Sequence, residues 1–244
     1  YDALYKATWS GAWQAPAFYA MACVKAAQGD FDLALSHVER SLVQGAHNLK
    51  ARALKAALLR RLGQKQAALA LARESLTIDP IDCAARYELG GETRERLLAS
   101  ICENPNWCIE LALTYADAGL YAEAENILTA ASQAGQHYPL VHYYLADFCE
   151  RQGKQDAAAR QRATAASAPS DYCFPHRLED LLVLNRALEK NPDDAKGWYY
   201  LGNLWYDKRE YTQAIDCWER SRALDGRFPT AHRNLALAYF NKCG

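Results

Sequence analysis

The sequence predicts an all-α protein, a solenoid of antiparallel helix pairs wound as a right-handed superhelix. Three observations predict it. A mark of Gly, often a bulky residue two places on, and Ala five places on recurs at Gly29 with Phe31 and Ala34, Gly63 with Ala68, Gly119 with Tyr121 and Ala124, and Gly153 with Ala158. Gly29 to Gly63 is 34 residues and Gly119 to Gly153 is 34 again, and a fifth copy has Arg209 in the Gly place with Tyr211 and Ala214. The register is interrupted twice by the same amount, since Gly63 to Gly119 and Gly153 to Arg209 both span 56 residues, which gives a longer period of 90. A unit of 34 residues holds two helices of about 12–15 residues and two short turns. The Gly belongs in the turn within the pair, where the backbone turns left-handed, and the small Ala lets the two helices approach closely.

In chain order, residues 2–8 read as the end of a second helix. A first helix follows over about 11–28, with Trp13, Tyr19 and an early Pro16, which a helix tolerates near its start. Pairs flank each Gly mark from there on. The interruptions, about 80–105 and 169–192, read as degenerate repeats, each with one clear helix (about 92–103 and 177–190) and an Asn-Pro ending, Asn104-Pro105 and Asn191-Pro192. Gly90-Gly91 breaks the first half of one, and Pro169 and Pro175 bracket that of the other, so each first helix is expected to be short or irregular. Residues 229–242 supply a last first-type helix. The expectation is 13 to 15 helices in one array over 1–244, truncated at both ends.

Trp198, Leu201-Gly202 and Trp205, followed by Tyr211, Ala214 and Trp218, resemble the W-x-x-L-G-x-x-Y pattern of the tetratricopeptide repeat family. Leu111-Ala112 with Tyr115, Leu145-Ala146, the closing segment Ser75 to Pro80, and Leu235-Ala236 with Tyr239 carry parts of it in register. The arrangement also resembles the repeat segment of larger bacterial proteins that join such an array to a separate β-rich domain. That narrower likeness implies, as the alternative to protein binding, an architectural or dimerising segment of a larger, carbohydrate-related bacterial protein, with an all-helical enzyme as a third reading.

Lys plus Arg is 28 and Asp plus Glu is 29, so a formal charge of −1 offers no footprint for nucleic acid. No apolar run approaches a membrane span, and no secretory signal is present. Residue 1 is Tyr and the one Met is Met21, so a piece of a longer chain, or a processed one, is expected. Eight scattered cysteines, none in a C-x-x-C pair, read as small core residues of a cytoplasmic protein. There is no G-x-S-x-G, H-E-x-x-H, phosphate loop or G-x-G-x-x-G, so no catalytic residue, metal or cofactor is expected, and His142 and His232 read as packing residues in the Trp198 slot. The 34-residue period is also too short for the long hairpins of an α/α toroid enzyme.

The leading reading is a scaffold whose ligand is itself a protein or peptide. The family resemblance implies a concave groove lined by first helices, at the residue after the Trp slot and then four and seven or eight places on. In the second repeat that row is Ala53, Ala57, Arg60 and Arg61. In the C-terminal half it mixes rings with fixed polar groups, which suits a peptide: Tyr143, Asp147 and Arg151, then Tyr199, Asn203 and Tyr206, then Arg233. Asn203 and Asn234 fall in the Asn places of the family's carboxylate clamp, but Tyr199 stands where the clamp needs Lys. The last helix, with Leu235, Leu237, Tyr239 and Phe240, is expected to promote homo-oligomers.

Overall fold

The computed structural model describes residues 1–135 and 137–243, with side chains through 241. All fifteen elements among them are helices, and none is long and apolar enough to cross a membrane. They form two compact units. The first, Tyr1–Ala134, holds α1 (Asp2–Ala7), α2 (Gly11–Ala27), α3 (Phe31–Gln44), α4 (Leu49–Arg61), α5 (Lys65–Ile78), α6 (Cys83–Leu89), α7 (Gly91–Ile101), α8 (Pro105–Ala116) and α9 (Tyr121–Gln133). Here α2 pairs with α3, α4 with α5, and α8 with α9, while the short α6 packs on both α4 and α7. The second unit, from Gly135 on, holds α10 (Pro139–Arg151), α11 (Gln155–Ser167), α12 (Leu178–Lys190), α13 (Ala195–Asp207), α14 (Tyr211–Leu224) and α15 (Pro229–Cys243). Its pairs are α10 with α11 and α13 with α14, with α12 between α10 and α13 and α15 against α14.

The five marks read from the sequence are one turn built five times. In each, the amide after the mark residue donates back across the helix end: Asp30 to Lys25 O (3.0 Å), Gln64 to Leu59 O (2.8 Å), Leu120 to Tyr115 O (3.0 Å), Lys154 to Cys149 O (2.9 Å) and Glu210 to Trp205 O (2.9 Å). This is the six-to-one bond of a Schellman cap, and it requires a left-handed residue in between. Gly29, Gly63, Gly119 and Gly153 supply it at φ 71–80°, and Arg209 is forced to φ 64°. An L side chain costs about 1–2 kcal/mol there, against about 0.5–1 kcal/mol of extra chain entropy for Gly. Arg209→Gly is therefore expected to stabilise the protein by up to about 1 kcal/mol, read as a higher midpoint in urea. A lower midpoint would show that the Arg209 side chain holds something the turn does not explain. The Ala of each mark (Ala34, Ala68, Ala124, Ala158, Ala214) is buried where the helices touch.

The interruptions differ in how they lose their first helix. In the first, Asp82 caps α6 through the amides of Ala84 and Ala85, and Gly90 ends it at φ 71° after seven residues. In the second no helix forms at all. An extended strap, residues 168–177, runs from α11 to α12 with Tyr172 left-handed at φ 57°. Lys196 Nζ donates to the carbonyls of Ser167 and Ala168 (3.4 and 2.5 Å), closing α11. At the other end the Asp180 carboxylate, 0% exposed, accepts the amides of His176 (2.9 Å) and Arg177 (3.0 Å) and the Tyr144 hydroxyl (2.6 Å). The two Asn-Pro pairs also do different jobs: Asn104 caps α8 with Pro105 at its first position, whereas Asn191-Pro192 lies in a turn and α13 is capped by Asp194. Brief chymotrypsin treatment is expected to cut first after Tyr172, 87% exposed on backbone outside any helix, whereas Phe174 is shielded by the Pro175 that follows it. First cleavage inside α13 or α14 would contradict this picture of the strap.

Cys23, Cys102, Cys108, Cys149, Cys173 and Cys217 are buried outside any disulfide and Cys83 is half-buried, as small core residues would be. Cys243 lies outside the described side chains.

Candidate functional site in the second unit

The Asp194 side chain accepts the Gly197 amide (2.9 Å) and sets the start of α13. From there helical spacing brings Tyr199, Asn203 and Tyr206 to one face. Trp218 of α14, 2% exposed, fixes the middle of that face. Its indole N–H donates to Tyr199 O (3.3 Å) and Asn203 Oδ1 (3.1 Å). Because the indole can only donate, the Asn203 atom that faces it is the carbonyl oxygen. The second contact on that oxygen, from Asn234 Nδ2 of α15 at 3.0 Å, is then a donor as well. The orientation of both amides follows. Asn203 Nδ2 keeps its protons, and Asn234 Oδ1 meets only an Arg233 nitrogen at 3.5 Å. Gly202 is required beside them, since a Cβ there would lie 2.5 Å from the indole of Trp218.

These residues line a cleft of about 310 Å³ together with Phe174, Asp207 and Leu237. Tyr206 stands edge-on to Tyr211 (5.2 Å between centroids) and tilted on Trp218 (5.4 Å), and continues into a neighbouring hollow with Tyr211 and Ala238. The rim has two charges of note. Asp207 is paired with Lys208 (2.8 Å), whose hydrogen bond and charge hold the carboxyl below the usual range. Arg233 is exposed and makes no ion pair among the described residues.

The seven residues picked from the sequence separate into three groups. Tyr199, Asn203, Tyr206 and Arg233 meet in the cleft. Tyr199 does so by its edge, for it is 5% exposed and packs edge-on to Phe228 (4.7 Å) and Tyr200 (5.7 Å). Asp147 instead joins α10 to α12: it is 8% exposed and binds Arg151, four residues on in its own helix, and Arg186 of α12, both at 2.8 Å. Tyr143 corrects the sequence reading outright. It is 1% exposed, and its hydroxyl donates to Asp194 Oδ2 at 2.7 Å. Burial, then the Asp194 charge, pushes its phenol far above the usual range. The Tyr143 and Tyr144 hydroxyls thus reach the Asp194 cap of α13 and Asp180 in the first turn of α12.

Packing aromatics also need adjusting. Of Trp198, Trp205, Tyr211 and Trp218, only Trp218 is fully buried, Trp198 and Trp205 are half-buried, and Tyr211 is 50% exposed. His142 is buried on Gln161 (2.8 Å), and His232 reaches Gly226 O (2.9 Å). In the first unit the polar half of the expected groove row is already occupied. Arg60 binds Glu88 through two nitrogens (2.8 and 3.1 Å), and Arg60 and Arg61 both bind Glu123. Sequence reasoning missed Phe174, which lies where no period runs, and read Trp218 as packing alone.

The sequence profile described as Tetratricopeptide repeat matches residues 19–82 and 109–172, and a second profile of the same description matches 195–228. Together they take in more than half of the chain. A stretch of 67 residues is 38% identical to the cytochrome c-type biogenesis protein CycH of Pseudomonas aeruginosa, covering 27% of this chain and 16% of that protein. The chain thus spans a small fraction of that relative's length. Among solved structures, it is similar to yeast Tom70 (14% identity, 99% of this chain and 57% of that one, TM-score 0.43). It is also similar to a tetratricopeptide repeat protein from Parabacteroides merdae (16% identity, 92% and 84%, TM-score 0.34). None of these matches supports the separate β-rich domain that the narrower resemblance implied.

Proposed function

Because this chain belongs to the tetratricopeptide repeat family, we propose that it is a scaffold that holds an extended peptide segment of a partner protein in the cleft of the second unit. Repeat arrays of this kind present binding surfaces rather than reacting groups. One observation carries the choice of site: four residues selected by repeat register alone, Tyr199, Asn203, Tyr206 and Arg233, line a single cleft. The cleft offers what any peptide backbone needs. The amide group of Asn203 donates to a peptide carbonyl, Asn234 Oδ1 accepts a peptide N–H, and the rings supply contact area. Their orientation is set in advance by Trp218, so little ordering is needed on binding.

The test is a selection of phage-displayed random dodecapeptides on the immobilised protein, repeated on Asn203→Ala and Tyr206→Ala variants whose melting is unchanged. Peptides enriched on the native protein should lose on the order of tenfold or more in affinity for either variant. Equal binding to all three would move the site elsewhere on the surface. Tyr199→Ala is unsuitable here because that ring belongs to the core.

Self-association is a second reading, favoured by the exposure of Leu237 (54%), Tyr239 (42%) and Phe240 (77%) on α15, whereas Leu235 is buried. Sedimentation at increasing concentration should show dimers that Phe240→Glu disperses. A monomer throughout removes this reading and leaves the peptide site untouched.

A further inference from the structure

The strap supplies the one wall of the cleft that comes from outside the repeat pattern. Along residues 173–176 burial alternates, with Cys173 and Pro175 buried and Phe174 and His176 exposed. Cys173 is 1% exposed, and the next two backbone amides after Pro175 are tied to Asp180. Phe174 is therefore presented from a backbone pinned on both sides. Its ring is 64% exposed and pairs with no other ring among the described residues, yet it lines the cleft opposite side chains of α13 and α15. The fold does not ask for a ring there. Ninety residues earlier, at the matching place of the first interruption, stands Ala84, 7% exposed inside α6.

An aromatic ring fixed toward water and facing an apolar wall is a seat for an apolar side chain. The charge beside it is equally specific. Asp207 is neutralised by Lys208, so the rim field comes from Arg233, which has no carboxylate of its own. We propose that Phe174 is the selectivity wall of the cleft, and that the partner peptide presents one large apolar side chain next to an acidic residue. The apolar side chain sits between Phe174 and the Tyr206–Leu237 wall, and the carboxylate meets Arg233. This rests on the reading that the cleft holds a peptide.

The same dodecapeptide selection tests it, run in parallel on the native protein and on Phe174→Ala, Phe174→Leu and Arg233→Glu. Because Phe174 is mostly exposed, unchanged thermal melts are expected for all three. Native selections should converge on a Leu, Met or aromatic residue beside Asp or Glu. A synthetic peptide of that consensus should bind Phe174→Ala on the order of tenfold more weakly and regain most of that with Phe174→Leu. Arg233→Glu should move the neighbouring preference from acidic to basic. If enriched peptides depend on Asn203 and Tyr206 but Phe174→Ala selects the same consensus with the same affinity, the Phe174 assignment falls and the peptide cleft stands. If they share no apolar–acidic pair, the partner class falls in the same way. If no peptide is enriched that depends on Asn203 and Tyr206, the cleft reading fails and takes this one with it.

Discussion

Replacing Asp180 by Ala is expected to destabilise the second unit by about 3–5 kcal/mol, the range for stripping a buried carboxylate from its donors. The carboxylate is 0% exposed and gathers three strong donors: the amides of His176 and Arg177, and the Tyr144 hydroxyl. Removing it leaves the buried Tyr144 hydroxyl without its acceptor and the two part-buried amides unpaired. It also unties the strap, because two of the three bonds are to strap backbone. Asp180→Asn keeps one acceptor oxygen and should lie between, and Tyr144→Phe, which removes a single donor, should cost only about 1–2 kcal/mol. Urea unfolding followed by helical circular dichroism orders the three. An Asp180→Ala midpoint equal to the native one would mean that the strap is held by Cys173 and Pro175 alone.

The same strap marks the boundary of what the sequence discloses. Repeats are legible because a fixed period forces identical local jobs on equivalent residues. The turn at Arg209 could be located from spacing with no Gly present, and it has the left-handed backbone the register demands. That Tyr199, Asn203 and Tyr206 share one face of α13 was legible for the same reason, since phase within a helix follows from its start. Tyr143 shows where this fails. Its place in the repeat is one the family resemblance assigns to the groove, yet the ring is 1% exposed and its hydroxyl meets a partner 51 residues away, Asp194. Nothing in a one-dimensional period encodes that pairing. Phe174 was illegible for the opposite reason: an extended segment has no phase to extrapolate, and its alternation of buried and exposed residues spans only four positions. Asp147 and Arg151 sit between these cases. Both stand on α10 in the register the spacing gives, but Arg186, which shares Asp147, belongs to a helix whose packing against α10 the spacing could not supply.

In the first unit, Arg60→Met is expected to cost about 3–5 kcal/mol, the range for breaking a buried ion pair by removing one partner. Glu88 is the reason. Its side chain is 0% exposed and receives two guanidinium nitrogens, so the variant strands a carboxylate inside the protein. The companion variant Arg60→Met with Glu88→Leu should recover most of that loss, because an apolar pair of similar volume removes the stranded charge rather than satisfying it. If the double variant is no more stable than the single one, the cost lies in the stem of Arg60 or in its bond to Glu123, and the buried-charge argument is wrong. Acid gives an independent check through Glu123. Burial raises its carboxyl pKa, but the hydrogen bond and charge of Arg61, then the charge of Arg60, outweigh it and hold the carboxyl below the usual range. A carboxyl whose folded pKa is depressed adds stability that is present above its unfolded value and lost as pH falls through the folded one. Native protein should therefore lose this contribution only below about pH 4.5, the unperturbed value for Glu. In Arg61→Gln the largest favourable influence is gone while burial remains, so the loss should begin at higher pH. Urea midpoints measured from pH 7 to pH 3 should separate for the two proteins in the upper part of that range, and superimposable pH profiles would show that Arg61 does not hold the charge of Glu123.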